Sequence, residues 1–149
     1  MGGRSVNSMS VSINKSPAEV FAYLSDVSKH AEWSPKPYRV EGTSGPVQTG
    51  DTFASVGTIP GDKNHRNEVT VTECSPPNRL VLDSAEKGQH FINTFELTPE
   101  GAGTLLTRSM DTPKPPFPLS LVFPLILSAV IKPDVQKGLN NLKANLEKS

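Results

Sequence analysis

Residues 16–33, SPAEVFAYLSDVSKHAEW, determine how the fold begins. Ser16 can cap a helix, and Pro17 suits the first helical position, where its missing N–H would have no partner in any case. Glu19 stands three residues after Ser16 and completes a capping box. The stretch therefore predicts a helix that begins at Pro17.

The same stretch also predicts where this first helical region ends. Its apolar residues repeat at helical spacing: Val20, Leu24 and Val27. Asp26 can begin a second short helix, which runs towards Trp33 before Pro35 and Pro37 prevent its continuation. Residues 10–14 alternate apolar and polar positions, as in a strand. We therefore expect one strand followed directly by two short helices.

The central part of the sequence, residues 38–110, has a pattern typical of a β-sheet. Segments rich in β-forming residues are separated by short runs that contain Gly, Pro or Asn, the residues that tight turns require. Short connections of this kind favour an antiparallel meander. The predicted strands are 38–43, 52–58, 67–74, 79–85, 90–97 and 104–110.

The C-terminal residues, 134–147, predict a long amphipathic helix. Its apolar stripe recurs at steps of four, three and four and consists of Val135, Leu139, Leu142 and Leu146. An antiparallel sheet with alternating faces needs a cover on one side, and this helix is the longest element available. The sequence predicts an α+β fold in which a seven-stranded antiparallel sheet curls around the helix. We expect residues 1–149 to form a single domain, with residues 1–9 flexible.

Composition excludes several classes of function. Lys and Arg together number 15, as do Asp and Glu, so the formal net charge is zero and a nucleic-acid partner is not expected. A single cysteine and three scattered histidines give no metal-binding motif, so we expect neither a metal nor a cofactor. The N-terminus lacks the apolar core of a secretion signal, which favours a cytoplasmic protein.

An apolar segment, residues 119–131, precedes the last helix. Ten of its 13 residues are apolar and none is charged. It is shorter than the roughly 20 apolar residues that span a bilayer. Pro124 and Pro133 predict a kink or break near each proline. The segment either packs in the core or walls an internal cavity; a transient membrane contact or a second subunit would also cover it.

The element order and several phrases resemble the helix-grip superfamily, which includes the birch-pollen-allergen-like, START-like and polyketide cyclase/dehydrase proteins. Together these phrases extend over most of the chain. They are VSINKSPAEVFAYLSDVSKHAEW, VEGTSGPVQTGDTF, VTVTECSPPNRLV, FELTPEGAGTLLTRSM and GLNNLKANLE. The resemblance implies an apolar cavity between the sheet and the last helix, which holds lipids, polyketides, quinones or similar molecules.

Fold alone does not choose among the activities of such a family. We expect a non-catalytic protein that binds or transports a small hydrophobic molecule. The first alternative is a cyclase or dehydrase, and the second is a module that binds a partner protein or its own twin. The sequence shows no convincing pair of residues for acid–base catalysis, so the enzyme hypothesis ranks below the binding hypothesis.

Alternation along two neighbouring strands suggests which residues line the cavity. Asn93 and Arg108 should both point inward, as polar groups that recognise the ligand and as the candidate catalytic residues. Arg108 could instead reach solvent or pair with Asp83 or Glu68. The predicted apolar walls are Val20, Leu24, Phe53, Phe91, Phe95, Leu106, Met110, Leu125 and Ala129. The three histidines are expected at the surface, and Trp33 and Tyr38 are expected to close the core.

Overall fold

The computed structural model describes residues 3–59 and 61–148, and within these residues seven strands form one antiparallel sheet. Their spatial order is β1-β7-β6-β5-β4-β3-β2. From β2 to β7, strands that are neighbours in the sheet are also consecutive in the chain, as the predicted meander requires. The first strand, β1, pairs with the last strand, β7. The strands are β1 (Arg4–Ile13), β2 (Tyr38–Glu41), β3 (Thr52–Ile59), β4 (Asp62–Ser75), β5 (Arg79–Glu86), β6 (Gln89–Glu100) and β7 (Gly103–Pro113).

The helices lie between β1 and β2 and after β7, which confirms the predicted α+β helix-grip architecture. The N-cap forms as expected, with the Ser16 side chain accepting a hydrogen bond from the Glu19 backbone N–H. The helices are α1 (Pro17–Ser25), α2 (His30–Trp33), α3 (Phe123–Ile126) and α4 (Lys132–Glu147). A 3-10 turn (Val27–Lys29) precedes α2, a second one (Leu119–Leu121) precedes α3, and a π-helical turn (Leu127–Ile131) joins α3 to α4.

The first strand is longer than the sequence indicates. It begins at Arg4, so residues 4–9, which were expected to be flexible, pair with β7. Arg4 also forms an ion pair with Asp111 on β7, with 2.8 Å between Nε and Oδ1. Residues 4–10 contain few apolar side chains, so the sequence gives little periodic signal for a strand here. Backbone pairing with β7 holds this part of β1 in place. Met1 and Gly2 lie outside the described residues.

One end of the sheet is filled by a solid core. Buried leucines of α4 and buried apolar residues of α1 meet the inner face of the sheet: Leu139, Leu142, Leu146, Val20, Leu24, Leu97 and Leu106. At the other end α4 lies against α2 at Gly138, where an added Cβ would lie 3.4 Å from Pro35 Cδ and 3.5 Å from Trp33 Cε3. This close approach positions Trp33 beside the space that the core does not fill.

Candidate ligand-binding cavity

A cavity of about 320 Å³ lies between α2, the first turn of α4 and the inner face of the sheet. Its walls are mainly apolar, contributed by Trp33, Phe53, Val69, Leu82, Phe95 and Val135. The polar lining residues are His30, Ser34, Tyr38, Ser55, Asn67, Ser84, Asn93, Arg108 and Asp134. A concave site that combines apolar surface with placed polar groups is typical of small-molecule binding.

Strand register places Arg108 inside this cavity. Arg108 on β7 lies opposite Phe95 on β6, and Met110 lies opposite Asn93, as the predicted inward face requires. Arg108 donates from Nε and Nη2 to Asn93 Oδ1 at 3.0 and 2.8 Å. The guanidinium carbon lies 5.4 Å from the centre of the Phe95 ring. The alternative of an ion pair with Asp83 or Glu68 is therefore wrong, and the role of Arg108 in ligand binding stays a prediction.

The charge of Arg108 is incompletely compensated. Burial lowers the pKa of Arg108 to about 10, which leaves the side chain protonated at neutral pH. No carboxylate of the described residues forms an ion pair with it. Within that part of the chain its Nη1 group also makes no hydrogen bond. Because a partly buried cation is costly without an anionic or hydrogen-bonding partner, this side chain suits an oxygen of a bound molecule.

His30 contributes a neutral imidazole to the same cavity. Its Nε2 lies 2.7 Å from the backbone carbonyl oxygen of Leu24. A carbonyl can only accept, so Nε2 carries the proton and Nδ1 is left as an acceptor. Burial lowers the pKa of His30 to about 4, and the charge of Arg108 contributes in the same direction. The ring is therefore uncharged at neutral pH.

The expected surface position of His30 is wrong, because only 6% of the residue is exposed. Val27, His30 and Trp33 follow one another at steps of three, and all three are buried. A step of three keeps side chains on one face of a 3-10 turn and of a short helix. That spacing was the signal in the sequence that could have indicated an inward histidine.

Trp33 and Tyr38, expected to close the core, both line the cavity. Burial raises the pKa of Tyr38, and the side chain is hydrogen-bonded to Ser55. Trp33 Nε1 and Asn67 Oδ1 are buried and have no hydrogen-bond partner among the described residues. Buried polar atoms are normally paired, so these two unpaired atoms are exceptions within the described residues.

An ion pair links α4 to the α2–β2 connection beside the cavity. Lys36 Nζ, just after α2, lies 2.8 Å from Asp134 Oδ2 in the first turn of α4. Asp134 is itself part of the cavity lining. The start of α4 and the α2–β2 connection are thus joined by this ion pair at one part of the lining.

Four of the predicted ligand-binding residues line the cavity: Phe53, Asn93, Phe95 and Arg108. The other seven are placed elsewhere. Val20, Leu24 and Leu106 are fully buried in the solid core, because α1 fills that end of the sheet. Met110 and Phe91 are at most partly exposed but lie outside the lining. Leu125 and Ala129 are exposed.

The apolar segment, residues 119–131, does not form the predicted cavity wall. None of its residues is buried, which also contradicts the alternative that it packs in the core. Pro124 lies in the first turn of α3 and Pro133 in the first turn of α4, so the helix type changes near each proline, although the backbone stays helical at Ile131 and Lys132. The chain here changes from a 3-10 turn to an α-helix to a π-helical turn, and these short pieces leave large apolar side chains exposed.

Solved structures with the same fold share little sequence with this chain. TTHA0849 from Thermus thermophilus superposes with a TM-score of 0.73 at 18% identity, covering 97% of this chain and 98% of that chain. A point mutant of norcoclaurine synthase from Thalictrum flavum gives 0.71 at 15% identity, with 99% and 97% covered. DynU16, from the dynemicin biosynthetic locus, gives 0.67 at 19% identity, with 95% and 47% covered. At these identities the likeness shows the fold alone.

The family itself is shown by sequence. No similarity to a curated protein was found. A family model described as "Polyketide cyclase / dehydrase and lipid transport" matches residues 7–147, which confirms the resemblance to the helix-grip superfamily. Because the match extends over nearly the whole sequence, the chain belongs to the polyketide cyclase / dehydrase and lipid transport family.

Proposed function

We propose that the protein binds and carries a small, mainly apolar molecule in the cavity and holds a carboxylate or carbonyl oxygen of that molecule at Arg108. The observation that carries the proposal is an arginine that lines the cavity, donates to Asn93 and has no carboxylate partner among the described residues. An oxygen of the ligand would accept from the Nη1 group and reduce the cost of the buried charge.

The other polar side chains of the lining narrow the class of ligand. Tyr38, Ser55 and Asn93 line the cavity together with Arg108. A ligand with an acidic or carbonyl head group and at least one further oxygen suits these side chains better than a hydrocarbon. Hydroxylated polyketides, quinones and oxygenated lipids all meet that description.

The first experiment identifies what the protein carries. The protein is purified from the organism that encodes it, its mass is measured under native conditions, and the bound molecule is extracted with solvent and identified. The proposal requires a stoichiometric, mainly apolar molecule that contains oxygen. A protein that arrives empty and binds no oxygenated apolar compound in titration would contradict it.

Arg108→Leu then tests the head-group contact, with Arg79→Leu as the matched control on the surface. A hydrogen bond to a charged group contributes about 1.5 to 3 kcal/mol, so Arg108→Leu should weaken binding by roughly 10- to 150-fold in a calorimetric titration. Arg79 pairs with Glu73 and Glu96 outside the cavity and should leave affinity unchanged. Equal affinity for both variants would remove Arg108 from the site.

A second function, catalysis of the cyclase or dehydrase type, is favoured by one specific observation. The neutral ring of His30 lines the cavity that also contains Arg108. The unprotonated Nδ1 could take a proton from a carbon next to a ligand carbonyl, while Arg108 donates to the oxygen that gains negative charge. The same proton returned to a hydroxyl leaving group would complete the loss of water.

Turnover separates the two functions. The extracted molecule and its hydrated or ring-opened precursors are incubated with the protein, and their masses and chromatographic retention times are followed with time. A catalyst should convert a precursor with loss of about 18 mass units for dehydration. His30→Gln should reduce that rate by about 100-fold or more, since general bases contribute on this scale. Tight binding with no change of mass or retention time in the wild type would leave the carrier function.

A further inference from the structure

The apolar segment, residues 119–131, presents two apolar faces. Phe123, Leu127 and Ile131 are partly buried and recur at a spacing of four residues. The opposite side carries Leu121 and Leu125, which are 69% and 71% exposed. A helix that only covers a core needs one apolar stripe, so the exposed face is not required by the packing of this fold.

The exposed apolar side chains are concentrated in one place. Of the large apolar residues that are exposed in the described part of the chain, all except Val6 lie between residues 117 and 130. They are Phe117, Leu119, Leu121, Val122, Leu125, Ile126 and Val130. Scattered apolar residues need no explanation, whereas a contiguous patch of this kind marks an interaction surface.

The charged residues that directly flank the patch in the chain are positive. Residues 115–131 contain no charged side chain, and Lys114 and Lys132 stand at the two ends of that stretch. Lys137 is exposed one turn further along α4. The nearest carboxylate in sequence, Asp134, is held by Lys36 at 2.8 Å. An apolar face bordered by lysines complements a surface with an apolar interior and negative head groups.

We propose that residues 117–130 dock onto the surface of an anionic lipid bilayer, with Phe117, Leu121 and Leu125 inserted among the acyl chains and the bordering lysines at the head groups. Within the described residues no helix combines the length and apolar content needed to cross a bilayer. The segment therefore lies in the plane of the interface. A second copy fits the charges less well, because an antiparallel pair would bring Lys114 of one copy near Lys132 of the other.

Vesicle co-sedimentation tests this surface directly. The wild type should bind vesicles of phosphatidylcholine with phosphatidylserine more tightly than vesicles of phosphatidylcholine alone, and rising salt should weaken the binding. The double variant Leu121→Asp, Leu125→Asp should bind the anionic vesicles at least about tenfold more weakly, since two apolar side chains no longer insert. Lys114→Gln and Lys132→Gln should each weaken binding by about fivefold.

Val6→Asp is the matched control, because Val6 is 65% exposed on β1, outside the segment. It should bind vesicles as the wild type does, and circular dichroism should show that the double variant is folded, because its altered side chains are exposed. Arg108→Leu should also bind normally, so the cavity proposal and this one can fail separately. Absence of vesicle binding, or equal binding by the double variant, would overturn the proposal. A dimer that Leu121→Asp, Leu125→Asp dissociates would assign the face to a second copy instead.

Discussion

Replacing Phe95 with alanine should lower the free energy of unfolding by about 3 to 5 kcal/mol. Phe95 is only 1% exposed and stands where the solid core meets the cavity. Its ring lies edge-on to Trp33 at 6.5 Å and 5.4 Å from the guanidinium carbon of Arg108. The substitution removes the transfer free energy of the ring and leaves a void that the paired strands cannot fill by moving together.

Phe117→Ala is the matched control for this deletion, since it removes the same atoms from a residue that is 76% exposed. Urea unfolding of the two variants, followed by circular dichroism, compares them directly. Phe117→Ala should change stability by no more than about 0.5 kcal/mol, as surface substitutions do. Similar losses in both variants would mean that the Phe95 ring is not a main support of the fold.

Acidification from pH 7.5 to pH 5 should lower the free energy of unfolding by about 2 kcal/mol through His30 alone. Burial holds the pKa of His30 at about 4 in the folded protein, whereas an unfolded histidine titrates near 6.5. Between these values the unfolded chain binds the proton and the folded chain does not, so protons favour unfolding. This contribution is fully present above the unfolded pKa and is lost as the pH falls towards 4.

Denaturant unfolding of His30→Gln at the same two pH values measures this contribution. The variant is less stable at pH 7.5, because the hydrogen bond to Leu24 is altered, but its stability should change less with pH than that of the wild type. His90→Gln, on an exposed histidine that pairs with Asp83, should keep the wild-type dependence on His30. If His30→Gln is as sensitive to acid as the wild type, His30 is not the buried neutral group described above.

The two predictions concern the same wall of the cavity. The rings of His30 and Phe95 are 6.5 Å apart, and both lie close to Trp33. Stability and ligand binding should therefore be coupled at this wall: a bound molecule that fills the cavity stabilises the folded state by mass action. The extracted ligand should therefore raise the free energy of unfolding at both pH values, and it should not remove the acid sensitivity, because the protons bind the unfolded chain.

Much of the fold could be predicted from local patterns. The capping box at Ser16 predicted the start of α1, the turn residues between strands predicted the meander, and the stripe from Val135 to Leu146 predicted α4. Alternation within β6 and β7 even predicted that Asn93 and Arg108 share the inner face. Each of these signals depends on the period of a single element or on one short turn, which the order of residues alone specifies.

The location of the cavity was decided by the tertiary structure. Periodicity assigned Leu106 and Arg108 to the same face of one strand, but Leu106 lies under α1 in the solid core and Arg108 lines open space. His30, Trp33, Tyr38 and Asn67 come from three different elements, and no local pattern connects them.

The apolar segment is a second case in which the sequence predicted a property but not its place in the fold. Its composition indicated that it contacts an apolar partner, and its prolines indicated where the helix type changes. Whether that partner is the interior of this protein depends on distances across the fold, and the structure leaves Leu121 and Leu125 exposed. A residue's own sequence neighbourhood determines which way it faces, whereas what it faces is determined by where distant elements pack.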